Sequence, residues 1–384
     1  MSPTGTTVAS YRPAWAEIDV AAIRHNTALL ASVSAPAVLC AVVKADGYGH
    51  GAESVARAAL EGGATILAVA LVEEGVRLRR AGIDAPMLVL SEPPLDAMDA
   101  VVSFRLTPAL YTFAGVHALV RAADRDTQAP VPVHLKVDTG MHRVGCAPSD
   151  ALTLAVEIGR HPSLQLEGVF THLAVADEID DPYTADQLSS YAAVLDELAM
   201  AGIRPAVRHA ANSAGTLWHP AARLDLVRCG ISIYGLAPCH DGQAHGSAAL
   251  LRPALSLKAR VSYVKTLPAG ERLSYGLRYR LDAPSMIATV PIGYADGLTR
   301  GLAAAAGEVL IGGRRRPIAG TVTMDQILVD CGPGPVAVGD EVVLIGAQGD
   351  QVLTAWDWAA RTGTIAYEVV CGLGSRIPRL VVDR

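Results

Sequence analysis

The 384-residue chain is 51% hydrophobic and only 18% charged, enough apolar material for two folded units and too little charge for a disordered chain. Its net charge of −6 excludes nucleic acid or an anionic membrane as the main partner. No apolar run is long enough to span a bilayer, and the opening MSPTGTTVASYRPAW lacks a charged segment followed by an apolar one, so a cytoplasmic protein is expected.

In chain order, residues 15–20 alternate like a short strand and residues 21–30 follow with helical spacing. Short apolar runs then alternate with amphipathic segments. The runs predict strands over residues 38–44, 66–70, 87–90, 104–107, 131–137, 166–172, 206–210 and 226–230, the fourth being the weakest. Between the first two, Ala52, Val55, Ala56, Ala59 and Leu60 form one apolar helical face that Gly62 and Gly63 stop. Eight strands with intervening helices predict an α/β fold, a (β/α)₈ TIM-type barrel over residues 12–240. Residues 240–247 are polar and read as a linker. From residue 250 to 384 the runs are β-rich and separated by Gly, Pro and Asp turns, with Gly312 and Gly313 as a hairpin turn and one short helix near residues 354–361. This predicts a mainly β C-terminal domain, and pattern alone leaves open whether residues 1–15 pack with it. The six cysteines, Cys40, Cys146, Cys229, Cys239, Cys331 and Cys371, are scattered without a CxxC pair and predict free thiols, not a metal centre.

Polar residues gather at the ends of the predicted barrel strands. Lys44 ends the first. Lys136, Asp138, Thr139, Met141 and Arg143 fall at or after the fifth in KVDTGMHRVG, and His172 ends the sixth. Asn212 and Ser213 follow the seventh, while Arg228 and Gly230 lie at the end of the eighth. Each has a plainer explanation: a solvated lysine, a core histidine, a loop ion pair of Asp138 with Arg143 worth ~0–1 kcal/mol, a serine helix cap. All of these would have to hold at one end of one barrel, which is the end where such folds place their chemistry. A lysine leaving an apolar strand is partly desolvated, which favours its neutral, nucleophilic form. Ser213 with Gly230 and Ile231 fits a phosphate cradle made of backbone N–H groups and one hydroxyl. Lysine plus phosphate points to pyridoxal phosphate, with Schiff-base chemistry on a sugar phosphate as the competing inference.

Nine motifs carry a further argument. AVVKADGYGHG, KVDTGMHRVG, THLAVADE, HAANSAG, VRCGISIYG, LSYG, GYADG, TMDQ and IAYE occur in one order across nearly the whole chain, which resembles the alanine racemase family. The resemblance implies a pyridoxal 5'-phosphate-dependent isomerase, an amino-acid racemase that interconverts L- and D-alanine by two bases and supplies D-alanine for peptidoglycan. Another small amino acid, such as serine, is the alternative. Lys44 would hold the cofactor as a Schiff base and act as one base; Tyr275, from the partner of a homodimer with composite active sites, would be the other. The implied cofactor ligands are Tyr48, His172, Asn212, Ser213, Arg228, Gly230, Ile231 and Tyr367, with Arg228 facing the pyridine nitrogen and His172 linking it towards Tyr275. Arg143, Met324 and Asp325 would contact the substrate, and Lys136 matches a position that is a carbamylated lysine in some members. Two positions depart from the family pattern: Gly47, where alanine or asparagine is usual, and Thr323, where cysteine is frequent.

Overall fold

The computed structural model describes residues 11–125, 130–239 and 244–384. Its contacts divide the described residues into two units: Val20–Pro253 packs as one, and Ala254–Asp383 packs with residues 11–19 as the other.

The strand β1 (Ala14–Asp19) is followed by β2 (Val38–Val42), β3 (Ile66–Val69), β4 (Met87–Val89), β5 (Thr107–Leu110), β6 (Val131–Lys136), β7 (Leu164–Phe170), β8 (Val207–His209) and β9 (Leu226–Cys229). The last eight form one parallel sheet in the order β8-β7-β6-β5-β4-β3-β2-β9. Two backbone bonds, Asp225 N to Arg208 O at 3.1 Å and Arg228 N to Ala211 O at 3.0 Å, draw its two outer strands together into a nearly closed barrel. The strands read as unbroken apolar runs because helices cover their outer face and side chains fill the inside. The helix Ala52–Glu61 illustrates the covering: Val55, Ala56 and Ala59 are fully buried, on the face that their spacing indicates.

Three strand positions differ from those expected; the first barrel strand stops at Val42, so that Lys44 opens the turn beyond it. The fourth barrel strand begins at Thr107 and not at Phe104, because helical hydrogen bonding from the helix Met98–Ser103 runs on through Phe104 and Leu106, whose N–H groups donate to Ala100 O and Val101 O. The sixth ends at Phe170, two residues early, which leaves Thr171 and His172 in the loop beyond it.

The second unit contains β10 (Leu255–Arg260), β11 (Tyr263–Leu267), β12 (Arg272–Leu273), β13 (Tyr279–Arg280), β14 (Ser285–Val290), β15 (Glu308–Ile311), β16 (Arg314–Pro317), β17 (Ile327–Asp330), β18 (Glu341–Gln348), β19 (Gln351–Leu353) and β20 (Arg379–Val382). Its main sheet has the order β16-β15-β18-β10-β1-β20, with β19 added on β18. Thus β1, expected in a barrel domain beginning at residue 12, pairs antiparallel with β10 and parallel with β20. Its alternating burial suits a sheet with one covered face. Gly312 and Gly313 join β15 to β16 with φ of +60° and +70°, the double left-handed turn that a two-residue hairpin requires. The short helix is Ala355–Thr362, capped by Thr354, whose hydroxyl accepts from Asp357 N at 3.0 Å. Residues 240–243 of the expected linker lie outside the described residues. Cys40, Cys146, Cys229, Cys239 and Cys331 are buried, and Cys371 is exposed. No helix among the described residues is long and apolar enough to cross a membrane.

One buried amide ties the barrel's first helix to its last turn. Asn26 Nδ2 donates to Ile233 O at 3.1 Å and Arg252 O at 2.8 Å, and its Oδ1 accepts from Arg252 N at 2.8 Å. Asn26→Ala should lower the unfolding free energy by about 2–4 kcal/mol, since it strands buried backbone groups. Urea denaturation with an unchanged m-value checks this.

Candidate active site

The strand β2 delivers Lys44 to the mouth of the barrel, and the chain then turns the uncommon way. Ala45, Asp46, Gly47, Tyr48 and Gly49 have φ of 51°, 50°, 62°, 50° and 78°, one left-handed helical turn. Gly47 N donates to Val43 O and Gly49 N to Ala45 O, each at 2.9 Å. The three non-glycine residues cost roughly 1–2 kcal/mol each in this conformation, so the surroundings must over-determine it. They do so through carboxylates. Glu74 accepts from Ala45 N at 2.6 Å and from Ala70 N at 2.8 Å, and Asp46 accepts from Ala52 N at 3.1 Å. Gly47 is well suited to its φ, though an added Cβ would stand 3.1 Å from Ala52 Cα, which makes alanine tight there.

This turn sends Tyr48 inward. Its ring lies 4.9 Å from that of Tyr234, whose hydroxyl donates to Val42 O at 3.0 Å. A Cβ built on Gly230 would come within 2.4 Å of Tyr48 Oη, so only glycine leaves space for that hydroxyl. Gly230 N in turn donates to Ser213 Oγ at 3.0 Å, with Ser232 N at 3.5 Å. The cap of the helix Ser213–Trp218 is Asn212, whose Oδ1 accepts from Gly215 N at 2.9 Å. The capping explanation therefore belongs to Asn212, and the Ser213 hydroxyl belongs to the Gly230 turn. Ile231 opens the buried turn Ile231–Tyr234 beside it.

Arg228 is only 3% exposed, and burial brings its guanidinium down to about 10, still protonated near neutrality. Nη2 donates to Thr171 O at 2.8 Å and to Ala210 O at 3.0 Å, and lies 3.4 Å from His172 Nδ1; Nη1 lies 2.8 Å from His209 Nδ1. Arginine can only donate, so both of these histidine nitrogens must accept, which places the proton of each neutral imidazole on Nε2. His209 Nε2 then donates to His134 Nδ1 at 2.8 Å, and His134 Nε2 to Glu167 at 3.1 Å. The chain Arg228–His209–His134–Glu167 crosses four neighbouring strands, and its bonds run in one direction. Hydrogen bonding from His134 holds the Glu167 carboxyl below its usual range. His134 reads in the sequence as a residue within a strand, and His209, the first residue of HAANSAG, carries no role in that reading. The one local signal is Gly168, at which a Cβ would collide with the His134 ring at 2.6 Å.

Around His172 the charge is lopsided. Burial, then the cations Arg228, Arg143, Lys136 and Lys44, push its imidazole well below the ordinary value. Burial and the cations Arg228, Arg143 and Lys44 likewise bring Lys136 down to about 8. Its Nζ donates to Leu90 O at 3.2 Å and sits 5.4 Å from the centre of the Phe170 ring. Lys44 is half-buried and Arg143 exposed. Four cations within electrostatic reach of one neutral imidazole make a site that wants an anion.

The second unit presents its own candidates. Tyr275 is 73% exposed and Met324 52% exposed. Tyr275 is nonetheless held: its carbonyl accepts from Thr321 Oγ1 at 2.8 Å, and the preceding Ser274, at φ 63°, donates from Oγ to Thr321 O at 2.7 Å. Asp325 accepts from Arg376 Nη2 at 2.7 Å, and Tyr367 is half-buried on the helix Ala366–Cys371.

Residues 18–238 match the family model for the N-terminal domain of alanine racemase, and residues 254–381 match that for its C-terminal domain. The chain belongs to the alanine racemase family. An alanine racemase of Symbiobacterium thermophilum is 51% identical over 96% of this chain and 97% of its own length. One of Thermobifida fusca is 44% identical over 95% and 97% of the two chains. The crystal structure of an alanine racemase from E. faecalis superposes with a TM-score of 0.91 at 38% identity, covering 98% of this chain and 100% of that one. The family is pyridoxal-phosphate dependent, as the sequence motifs implied, and the barrel followed by a mainly β domain is its fold.

Gly230→Val should force the Tyr48 hydroxyl out of the cradle and weaken pyridoxal phosphate binding roughly a hundredfold, or about 2.7 kcal/mol. A fluorescence titration of the apoprotein with the cofactor measures it, with circular dichroism to confirm that the barrel persists.

Proposed function

We propose that the barrel mouth holds pyridoxal phosphate and alanine, and that the chain interconverts L- and D-alanine by removing a proton from one face of Cα and returning one to the other. The observation that carries this is the excess of cation around neutral His172, at the same end of the barrel as a cradle in which Gly230 admits the Tyr48 hydroxyl. That arrangement fits a lysine-anchored dianion: Tyr48, Ser213 and the N–H groups of Gly230 and Ile231, with Asn212 bracing the turn and Tyr367 added, would take the phosphate. When bound, the cofactor supplies an electron sink that acidifies the substrate's Cα–H.

Lys44 would anchor the cofactor and, displaced by substrate, serve as the base on one face. Arg228 would face the ring nitrogen and keep it unprotonated, because it has no proton acceptor to offer. The chain behind it, His209, His134 and Glu167, fixes the guanidinium's direction. Arg143 would receive the substrate carboxylate. The opposing base would be the partner subunit's Tyr275, with Met324 and Asp325 of that subunit closing the pocket of a homodimer. An exposed tyrosine on a rigidly clasped turn suits insertion into a second copy. The D-alanine formed would serve cytoplasmic peptidoglycan synthesis. Lys136 would carry a carbamate, formed as its neutral amine attacks carbon dioxide and loses one proton, and the new anion would pair with Arg143.

Lys44→Ala should abolish the visible absorbance of the lysine-bound cofactor. Tyr275→Phe should keep that band while lowering racemisation by ~10²–10⁴-fold. In D₂O, Tyr275→Phe should still exchange the Cα hydrogen of one enantiomer, through Lys44, and lose exchange of the other. Equal loss for both enantiomers with the cofactor intact argues against two opposed bases.

Lys136 tests itself through stability. In carbon-dioxide-free buffer near pH 7 the amine is charged and desolvated, so Lys136→Met should stabilise the apoprotein by up to about 3 kcal/mol, at ~1.36 kcal/mol per pKa unit. The native lysine sits at about 8 against 10.5 in the unfolded chain. The unfolded state therefore binds more protons across that window, native stability rises with pH there, and the variant's advantage should fade from about pH 8 to above 10. Restoring bicarbonate should remove the advantage near pH 7 if the carbamate forms, and carbon-13 NMR with labelled bicarbonate reads it directly.

A further inference from the structure

On the outside of the barrel, three metal-ligating side chains converge from two neighbouring helices. Glu157 lies near the end of the helix Ala151–Gly159, His161 one turn later, and His117 on the helix Phe113–Ala123. Barrel helices run back against their strands, so the end of Ala151–Gly159 lies towards the strand starts, at the opposite end from Lys44. Glu157 Oε1 is 2.9 Å from His117 Nε2 and 3.3 Å from His161 Nε2. All three ligand atoms lie within 4.8 Å of one another.

The two carboxylate–imidazole distances are close to the edges of a coordination tetrahedron, since donors ~2.0–2.1 Å from zinc stand roughly 3.3 Å apart, and the two imidazoles are at most 4.8 Å from each other. Glu157 and His161, four residues apart, share one helical face. Arg160 Nη1 holds Glu157 Oε2 at 3.0 Å, which turns Oε1 towards both imidazoles, an outer-shell role that metal sites commonly use. We propose that His117, Glu157 and His161 form a surface site for a zinc-type divalent cation, with its fourth position taken by water. Two imidazoles and one carboxylate are a donor set for zinc or its late first-row neighbours, not for magnesium or calcium, which prefer oxygen. The first ligand stands 40 residues from the second in sequence, which hides the set from any spacing motif. Bound there, the ion staples two adjacent barrel helices.

The test uses the holoenzyme titrated with zinc chloride by calorimetry, and with cobalt chloride by visible absorbance. One equivalent should bind per chain, cobalt should show the intense bands of a tetrahedral site, and H117A and H161Q should each weaken binding at least tenfold. At zinc a hundredfold above Kd the thermal midpoint should rise by several degrees (~2–4 °C per kcal/mol) in the native chain and not in either variant. Racemase activity of the metal-free variants should match the parent, because neither histidine belongs to the barrel mouth. No saturable binding below millimolar zinc would reduce the cluster to a carboxylate bridged by two histidines and overturn the proposal. One equivalent bound equally well by both variants would place the metal elsewhere and overturn it too.

Discussion

The pairing of the barrel's first strand with its last is the constraint on which the site depends. β2 and β9 lie in parallel register, with Cys40 opposite Arg228 and Ala41 opposite Cys229. Residues that leave these two strands therefore emerge side by side, although nearly 190 positions separate them in the chain. Lys44 and Tyr48 come from one strand, Gly230 and Ile231 from the other. The close approach of Tyr48 to Gly230 follows from that register and from the left-handed turn that swings the tyrosine across. Without closure, the lysine would end an ordinary strand and the glycine an unrelated loop.

Electrostatics explain why so strained a turn is kept. Burial disfavours charge, yet Arg228 and Lys136 are both buried at the same end of the barrel, with Lys44 and Arg143 in reach. Arg228 is satisfied by two backbone carbonyls and two histidines, not by a carboxylate. The nearest negative charge along its own chain of bonds is Glu167, beyond two imidazoles. A cation neutralised at close range by a carboxylate would have little left for a ligand. One supported through neutral dipoles keeps its field for whatever enters the mouth, and a phosphorylated cofactor with a carboxylate substrate would supply the missing charge.

The β-rich unit contributes in a different way. Its sheet takes in β1 from the far end of the sequence, between β10 and β20, so Ala14–Asp19 is built into the second unit. The clasp between Ser274, Tyr275 and Thr321 then fixes the backbone of the turn that carries an exposed tyrosine. A tyrosine presented outward on a turn with a fixed backbone can enter a second copy with little ordering cost, which is the physical reason to look for its role there.

Much of this was legible in the residues themselves. The apolar runs marked the barrel strands because a strand covered on both faces has no polar side to show, and the motifs marked Lys44, His172, Ser213, Arg228 and Gly230. The strand over Thr107–Leu110 was misplaced because a helix end and a strand start can share one apolar run. Three things were decided by tertiary structure alone: the transfer of β1 to the second sheet, the Arg228–His209–His134–Glu167 chain, and the meeting of His117 with Glu157 and His161. Sequence patterns record which face of an element is buried. They do not record what it is buried against, and each of these features depends on partners brought together from distant parts of the chain.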